Sequence, residues 1–311
     1  MQLPQHLILL YSVSHAPGKG DALGEDEVGQ VAHALRDALT PRIPDLVLAP
    51  VDNDVVAALS PYEPEDTVVF NLCEAIAGDV GREAEAAAHL AARGFCFTGS
   101  PAATLALCQN KAQAKMHLLA AGFLTPAYQV FHAAGEPVSS ALRFPLFVKP
   151  VAEDGSVGIS QESVVTNEAA LRTRVQYILD TYHEPALVEE FIGGREFNIS
   201  VWGNDPPEVL PLAELTYRNM ANPLTCPAQV DEPLSGRLRQ MARAAYRVMG
   251  CRDYARVDIR ERENVPYILE VNPNPSLSAD AGFCKAARAA GYDYAEMAAR
   301  LVALAWARGA R

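Results

Sequence analysis

The stretch Tyr254-Ala-Arg-Val-Asp-Ile-Arg260, followed by Pro266-Tyr-Ile-Leu-Glu-Val-Asn272, decides how this 311-residue chain reads. Both runs alternate polar and apolar residues, the period of a half-buried strand. In the first, Arg256, Asp258 and Arg260 share one face, and Ala255, Val257 and Ile259 the other. In the second, alternation puts Ile268, Glu270 and Asn272 on one face, and Leu269 and Val271 on the other. The polar link 261–265 is the right length to return the chain as a hairpin. Pairing the strands brings Asp258, Glu270 and Asn272 together, with Arg256 beside them. Two carboxylates and an amide oxygen suit a hard cation that keeps some water and leans on substrate phosphates. Magnesium, or manganese in its place, fits better than zinc. Arg256 can offset the repulsion between the two acids and hold a phosphate or a developing oxyanion. On these residues alone, an exposed sheet face whose charges simply meet water is an equal reading.

Outward from that hairpin, strands and helices alternate. His6–Tyr11, Asp45–Val51 and Thr67–Cys73 are continuous apolar runs, as in buried parallel strands, and Glu25–Leu39 and Arg82–Arg93 carry helical periodicity between them. This predicts a doubly wound, Rossmann-like α/β unit over residues 1–95, with ligands at the carboxyl ends of its strands near 12–27 and 71–83. Two further α+β units are expected, a central one over 96–185 and a C-terminal one over 186–311 carrying the hairpin. Within them the pattern predicts helices at 110–121, 167–180 (capped by Asn167) and 234–249. Strands are expected at 144–151, 186–192 and 195–203.

Lys149 ends the apolar run Phe144-Pro-Leu-Phe-Val148, which buries its amine; a phosphate is a natural partner for it. The turn after it carries Gly155, Ser156 and Gly158, and lets backbone amides approach phosphate oxygens. Lys111 stands just inside a helix and, without context, reads better as a surface lysine. Leu187-Val-Glu-Glu-Phe-Ile192 is an apolar strand interrupted by Glu189 and Glu190, groups suited to an adenine edge. Glu196 follows Gly193-Gly194, within reach of ribose hydroxyls.

Charge and composition narrow the class. The net charge is −12 with no basic stripe, which argues against a nucleic-acid partner. Six cysteines and seven histidines lack ligand spacing, as expected for reduced thiols in a cytoplasmic protein. The opening apolar run is too short for a membrane span.

Taken in order, Phe97-Thr-Gly-Ser100, Asn110-Lys111, Val148-Lys-Pro150, Gly155-Ser-Val-Gly-Ile-Ser160, Val188-Glu-Glu-Phe-Ile-Gly-Gly-Arg-Glu-Phe197, Ala255-Arg-Val-Asp258 and Leu269-Glu-Val-Asn-Pro273 resemble the D-alanine–D-alanine ligase branch of the ATP-grasp superfamily. The resemblance runs from about Phe95 to the C-terminus and more loosely over the first unit. It implies the ATP-grasp fold and ATP with magnesium as cofactors. It further implies a two-step reaction, in which a carboxylate takes the γ-phosphate as an acyl phosphate and an amine then displaces phosphate. It implies that Lys111 and Lys149 contact the phosphates, that Glu189, Glu190, Phe191 and Ile192 line the adenine pocket, and that Glu196 holds the ribose. Asp258, Glu270 and Asn272 would bind the metal, Arg256 would stabilise the acyl phosphate and tetrahedral intermediate, and Glu25 would hold the first substrate's ammonium group. The family also leans towards homodimers.

The departures fall on the amino-acid side. The D-alanine enzymes carry His-Gly-x-x-Gly-Glu-Asp-Gly where this chain has Asn71-Leu-Cys-Glu-Ala-Ile-Ala-Gly78. Their lid carries a Lys-Tyr pair, for which Tyr217 and Arg218 are the nearest candidates. Their Ser-Pro-Gly-Met run and later serine become Asn274-Pro-Ser-Leu277 and Ala281. Ser276 and Asp280 can face the acceptor or cap the helix after Ala279. These departures favour a carboxylate–amine ligase with small-molecule substrates other than two D-alanines. A divergent D-alanine–D-alanine ligase and a non-catalytic ATP-binding sensor or scaffold are the alternatives.

Overall fold

The computed structural model of the protein describes residues 2–13, 23–153, 155, 157–216 and 224–309, with side chains from Glu27 onward in the helix that starts at Leu23. The first sheet has the order β2-β1-β3-β4, all parallel, with β1 His6–Ser12, β2 Asp45–Val51, β3 Thr67–Leu72 and β4 Cys96–Phe97. Every residue of β3 is buried, which is why its middle, Val68-Val-Phe70, is continuously apolar instead of alternating. Helices α1 (Leu23–Leu39), α2 (Val55–Leu59) and α3 (Glu83–Ala92) supply the crossovers.

Helices α4 (Ala102–Gln109) and α5 (Lys111–Ala120) lead into an antiparallel sheet of order β5-β8-β6-β7. Its strands are β5 Tyr128–Phe131, β6 Leu146–Pro150, β7 Val164–Val165 and β8 Ala186–Glu190, covered by α6 (Glu168–Tyr182). Asn167 caps α6 by accepting from the Ala170 amide. A boundary between 185 and 186 would therefore cut β8 from its partners β5 and β6.

The third sheet runs β12-β11-β9-β13-β14, with β10 also on β9. Its strands are β9 Glu196–Trp202, β10 Glu208–Val209, β11 Ala213–Leu215, β12 Leu224–Thr225, β13 Tyr254–Arg262 and β14 Val265–Asn272, backed by α7 (Glu232–Val248). Glu263 and Asn264, both at positive φ, close the β13–β14 hairpin, the backbone that a two-residue turn between right-twisted strands requires. The register pairs Asp258 with Glu270 and Arg256 with Asn272, then shifts, so that Ile259 faces Ile268 and Leu269 is the extra residue of a bulge. This corrects the simple alternation. Ile268 turns into the same core as Val271, and does not share a face with Glu270.

The last helices, α8 (Gly282–Ala289) and α9 (Tyr294–Gly309), return to the beginning of the chain. Met297, Leu301, Val302 and Ala305 pack in one core with Leu7, Leu9, Val31 and Leu35. Arg308 Nη2 donates to the Phe97 carbonyl at 2.6 Å and pairs with buried Asp253 at 2.8 Å. The first unit thus reaches past residue 95, taking in β4, and takes its outer cover from the C-terminus.

Candidate active site

The central and C-terminal sheets face each other across a cleft lined by Lys111, Lys149, Pro150, Glu153, Gly155, Val157, Ile159 and Glu270. Each lysine arrives there for a local reason. Asn110 caps α5 by accepting from the Gln113 amide, which starts the helix at Lys111; the Lys111 amine donates to the Glu153 carbonyl of the glycine-bearing turn. Lys149 stands near the end of β6, its amine 3.0 Å from Glu189 Oε1 on neighbouring β8. Gly158 has positive φ, and a Cβ there would press on the Pro150 and Tyr182 rings, so the turn must fold tightly back.

Glu189 lies behind Lys149. Its other oxygen is 2.8 Å from the amine of Lys115, which also donates to Thr125 Oγ1 at 2.8 Å and to the Leu269 carbonyl at 3.3 Å. Burial pushes the Glu189 carboxyl up, but the two amines outweigh it and hold it down at about 2. For Lys149 burial is likewise outweighed, by Glu189 and Glu270, and its amine is raised. For Lys115 burial wins and the amine is lowered. Lys115 had no place in the sequence reading, because in Lys111-Ala-Gln-Ala-Lys115-Met-His its neighbours look like a solvated helix surface.

The hinge, the segment from Glu190 to Glu196 that links β8 to β9, is braced by β13. Arg260 Nε donates to Glu196 Oε2 at 2.6 Å and Nη1 to the Ile192 carbonyl at 3.0 Å, while its guanidinium lies 4.9 Å from the centre of the Phe191 ring. Arg262 pairs with Glu190 at 2.7 Å. A Cβ on Gly194 would collide with the Glu261 carbonyl, so only glycine lets the hinge pass this close to β13.

Beyond the bulge, Arg256 forks onto Asp258, Nε to Oδ1 and Nη2 to Oδ2, each at 2.8 Å, and Asn198 donates to Oδ1 at 2.8 Å. Arg256 Nη2 is 4.0 Å from Glu270 Oε1. Burial raises the Asp258 carboxyl to about 6, with Arg256 opposing and Glu270 and Glu196 adding to the rise. Glu270 goes the other way: burial raises it, but Lys149, Lys111 and Arg256 together hold it below its ordinary value. Among the described residues no group of three or more His, Cys, Asp or Glu can hold a metal. The donors here are two carboxylates and the Asn272 amide, and Asp258 Oδ2 keeps a lone pair beyond its bond to Arg256. Such an oxygen-only, incomplete set fits a magnesium ion that draws further ligands from water and phosphate.

After β14, Ser276 Oγ donates to Glu27 Oε1 at 3.1 Å, which ties this loop to α1. Asn274 bridges further: Tyr254 Oη donates to its Oδ1 at 2.8 Å, and its Nδ2 donates to Glu83 at 2.9 Å. Helix α8 begins at Gly282 with Ala281 as its cap and no side-chain cap bond, so neither Ser276 nor exposed Asp280 caps it. The side chain of Glu25, and residues Ser156, Tyr217 and Arg218, lie outside the described residues.

The D-alanine–D-alanine ligase from Bacillus anthracis, in a structure complexed with ATP, shares this fold at a TM-score of 0.79, covering 98% of this chain and 99% of that one at 19% identity. The architecture is the ATP-grasp fold of ATP-dependent carbon–nitrogen ligases. A family model described as D-ala D-ala ligase C-terminus matches residues 121–303. An uncharacterized protein, y4sG, from Sinorhizobium fredii is 33% identical over 86% of this chain and 85% of its own length. The D-alanine–D-alanine ligase of Desulforudis audaxviator is 32% identical over 75% and 80%. The chain therefore belongs to the D-alanine–D-alanine ligase family. Among the described residues no helix is long and apolar enough to cross a membrane.

Proposed function

We propose that this enzyme forms an amide bond between a small carboxylate and the amine of an amino acid, with ATP activating the carboxylate as an acyl phosphate. The observation that carries this reading is the convergence of Lys111, Lys149, Gly155 and Glu270 on one cleft, with Arg256, Asp258 and Asn272 on the strands beside it. Lys111, Lys149 and the amides of the turn around Gly155 and Ser156 hold the phosphates. The hinge from Glu190 to Ile192 faces the base, with Glu189 acting behind Lys149, and Glu196 takes the ribose. Asp258, Glu270 and Asn272 hold a divalent cation, which when bound neutralises charge on the transferred phosphoryl group. Arg256, kept in place by its fork onto Asp258, is ready to stabilise an oxyanion on the reacting carbon. The family resemblance assigns Glu25 to a substrate ammonium group, and Tyr217 and Arg218 to a lid that keeps water from the acyl phosphate.

The substrates proposed are not two D-alanines. Ala281 has no hydroxyl for an acceptor carboxylate, and Ser276 is already bonded to Glu27. Phosphate release with a panel of amino-acid and carboxylate pairs, D-alanine included, tests this. Turnover on a mixed pair above that on D-alanine alone is expected. Fastest turnover on D-alanine alone would make the chain a D-alanine–D-alanine ligase. No turnover with any pair, together with no binding of ADP, would sink the ligase reading.

A further inference from the structure

Among the described residues Lys115 is the most deeply buried cation, with 1% of its side chain exposed, yet it lies one helical turn behind Lys111, away from the cleft lining. An amine taken out of water costs several kcal/mol unless it is fully partnered. Three oxygens surround this one: Thr125 Oγ1 and the Leu269 carbonyl accept hydrogen bonds from it, and Glu189 Oε2, 2.8 Å away, pairs with it as an ion. Two of these oxygens lead into the active site from opposite sheets.

The first is Glu189. Its carboxylate sits between two amines, 2.8 Å from Lys115 and 3.0 Å from Lys149. One anion between two cations leaves one positive charge over. With Lys115 as the permanent counter-ion of Glu189, the charge of Lys149 stays available to a phosphate in the cleft. Without Lys115, Glu189 would turn its full charge on Lys149 and cancel it.

The second is Leu269, the extra residue of the β14 bulge. The bulge is what lets Ile268 and Val271 enter the core while Glu270 lines the cleft. Its carbonyl, lifted out of the regular ladder, is held by Lys115.

We propose that Lys115 is a positioning residue joining the two halves of the site: it neutralises Glu189 so that Lys149 keeps its charge for the nucleotide phosphates, and it pins the bulge that aims Glu270 at the cleft. This inference rests on the nucleotide and metal reading above. Its test needs no knowledge of the amino-acid substrates.

Calorimetric titration with ADP, with and without magnesium, on wild type, Lys115→Met and the double variant Lys115→Met/Glu189→Gln separates the two roles. Lys115→Met is expected to bind magnesium–ADP about tenfold or more weakly, the loss of one charge-assisted contact. In the double variant the charge of Glu189 is no longer there to cancel Lys149. Metal-free ADP affinity should therefore return to within about threefold of wild type, while the gain in affinity on adding magnesium stays lost. A purely structural lysine would move both affinities together, in step with the melting temperature. Wild-type magnesium–ADP affinity in Lys115→Met would overturn the inference. If the single variant fails to fold, the double variant decides, and an intact magnesium gain there would overturn it equally. Wild type binding no ADP at all would remove the functional reading and this inference with it.

Discussion

Replacing Arg260 with methionine keeps most of the side chain's volume and removes one guanidinium from the seam between β13 and the segment 190–196. Two charge-assisted hydrogen bonds disappear, to Glu196 at 2.6 Å and to the Ile192 carbonyl at 3.0 Å, along with the packing on Phe191. Bonds of this kind contribute about 1.5–3 kcal/mol each. The pair with Glu196 is nearly shielded from water, its side chains 12% and 11% exposed, so solvent does little to replace it. A net loss of about 3 kcal/mol is expected, and for a chain of this size that lowers the melting temperature by about 6 °C. Thermal unfolding followed by dye fluorescence, with and without magnesium–ADP, reads it directly. The ADP-induced stabilisation should shrink as well, because Arg260 sets both the hinge carbonyl and the proposed ribose-binding acid. Arg260→Lys, which keeps the charge but loses the fork, should recover only part of either effect. A variant melting within 1 °C of wild type would refute the reasoning, since it would mean the seam holds without its cation.

Glu270→Gln should leave the protein folded and abolish ATP-dependent phosphate release; wild-type turnover would place the metal elsewhere. Glu189 contributes stability that is present above the ordinary glutamate range and lost as pH falls from about 4.5 toward 2, because its carboxyl is held down in the folded state. The stability gap between wild type and Glu189→Gln, measured by thermal unfolding, should therefore narrow from pH 7 to pH 3; a constant gap would mean the amines do not hold it. Buried Cys73, Cys108, Cys251 and Cys284 should resist alkylation at pH 8 until denaturant is added, and burial pushes the Cys284 thiol up to about 12. Rapid labelling of all six thiols in the native protein would contradict that packing.

The sequence made some of these features readable and hid others for physical reasons. The middles of β1 and β3 are continuously apolar because both faces of the parallel sheet are covered there, and that signal is strong in one dimension. Asp258, Glu270 and Asn272 could be grouped because alternation holds within 254–258 and within 270–272, and the bulge at Leu269 brings Asp258 opposite Glu270. Ile268 was misplaced because a bulge inserts one residue without any composition mark, and each residue beyond it changes face. Strand β8 reads as the neighbour of β9, which follows it in the chain, but hydrogen-bonds to β5 and β6, and only the tertiary fold decides such a pairing. Strand β4 is two residues long, below the length at which periodicity exists. Lys115 is hidden because a helix shows the same alternation of lysine and alanine whether the lysine meets water or a carboxylate.

The return of α9 to the opening strands has a consequence for synthesis. Leu7, Leu9, Val31 and Leu35 are made long before Met297, Leu301, Val302 and Ala305, with which they share a core. At roughly 5–20 residues per second, the stretch from Phe97 to Ala305 takes about 10–40 s to emerge. Through that interval one side of the nascent first sheet has α1 but lacks the part of its cover that α9 supplies. A chaperone that shields this face until the final helix arrives would raise the yield of native enzyme without touching a single residue of its active site.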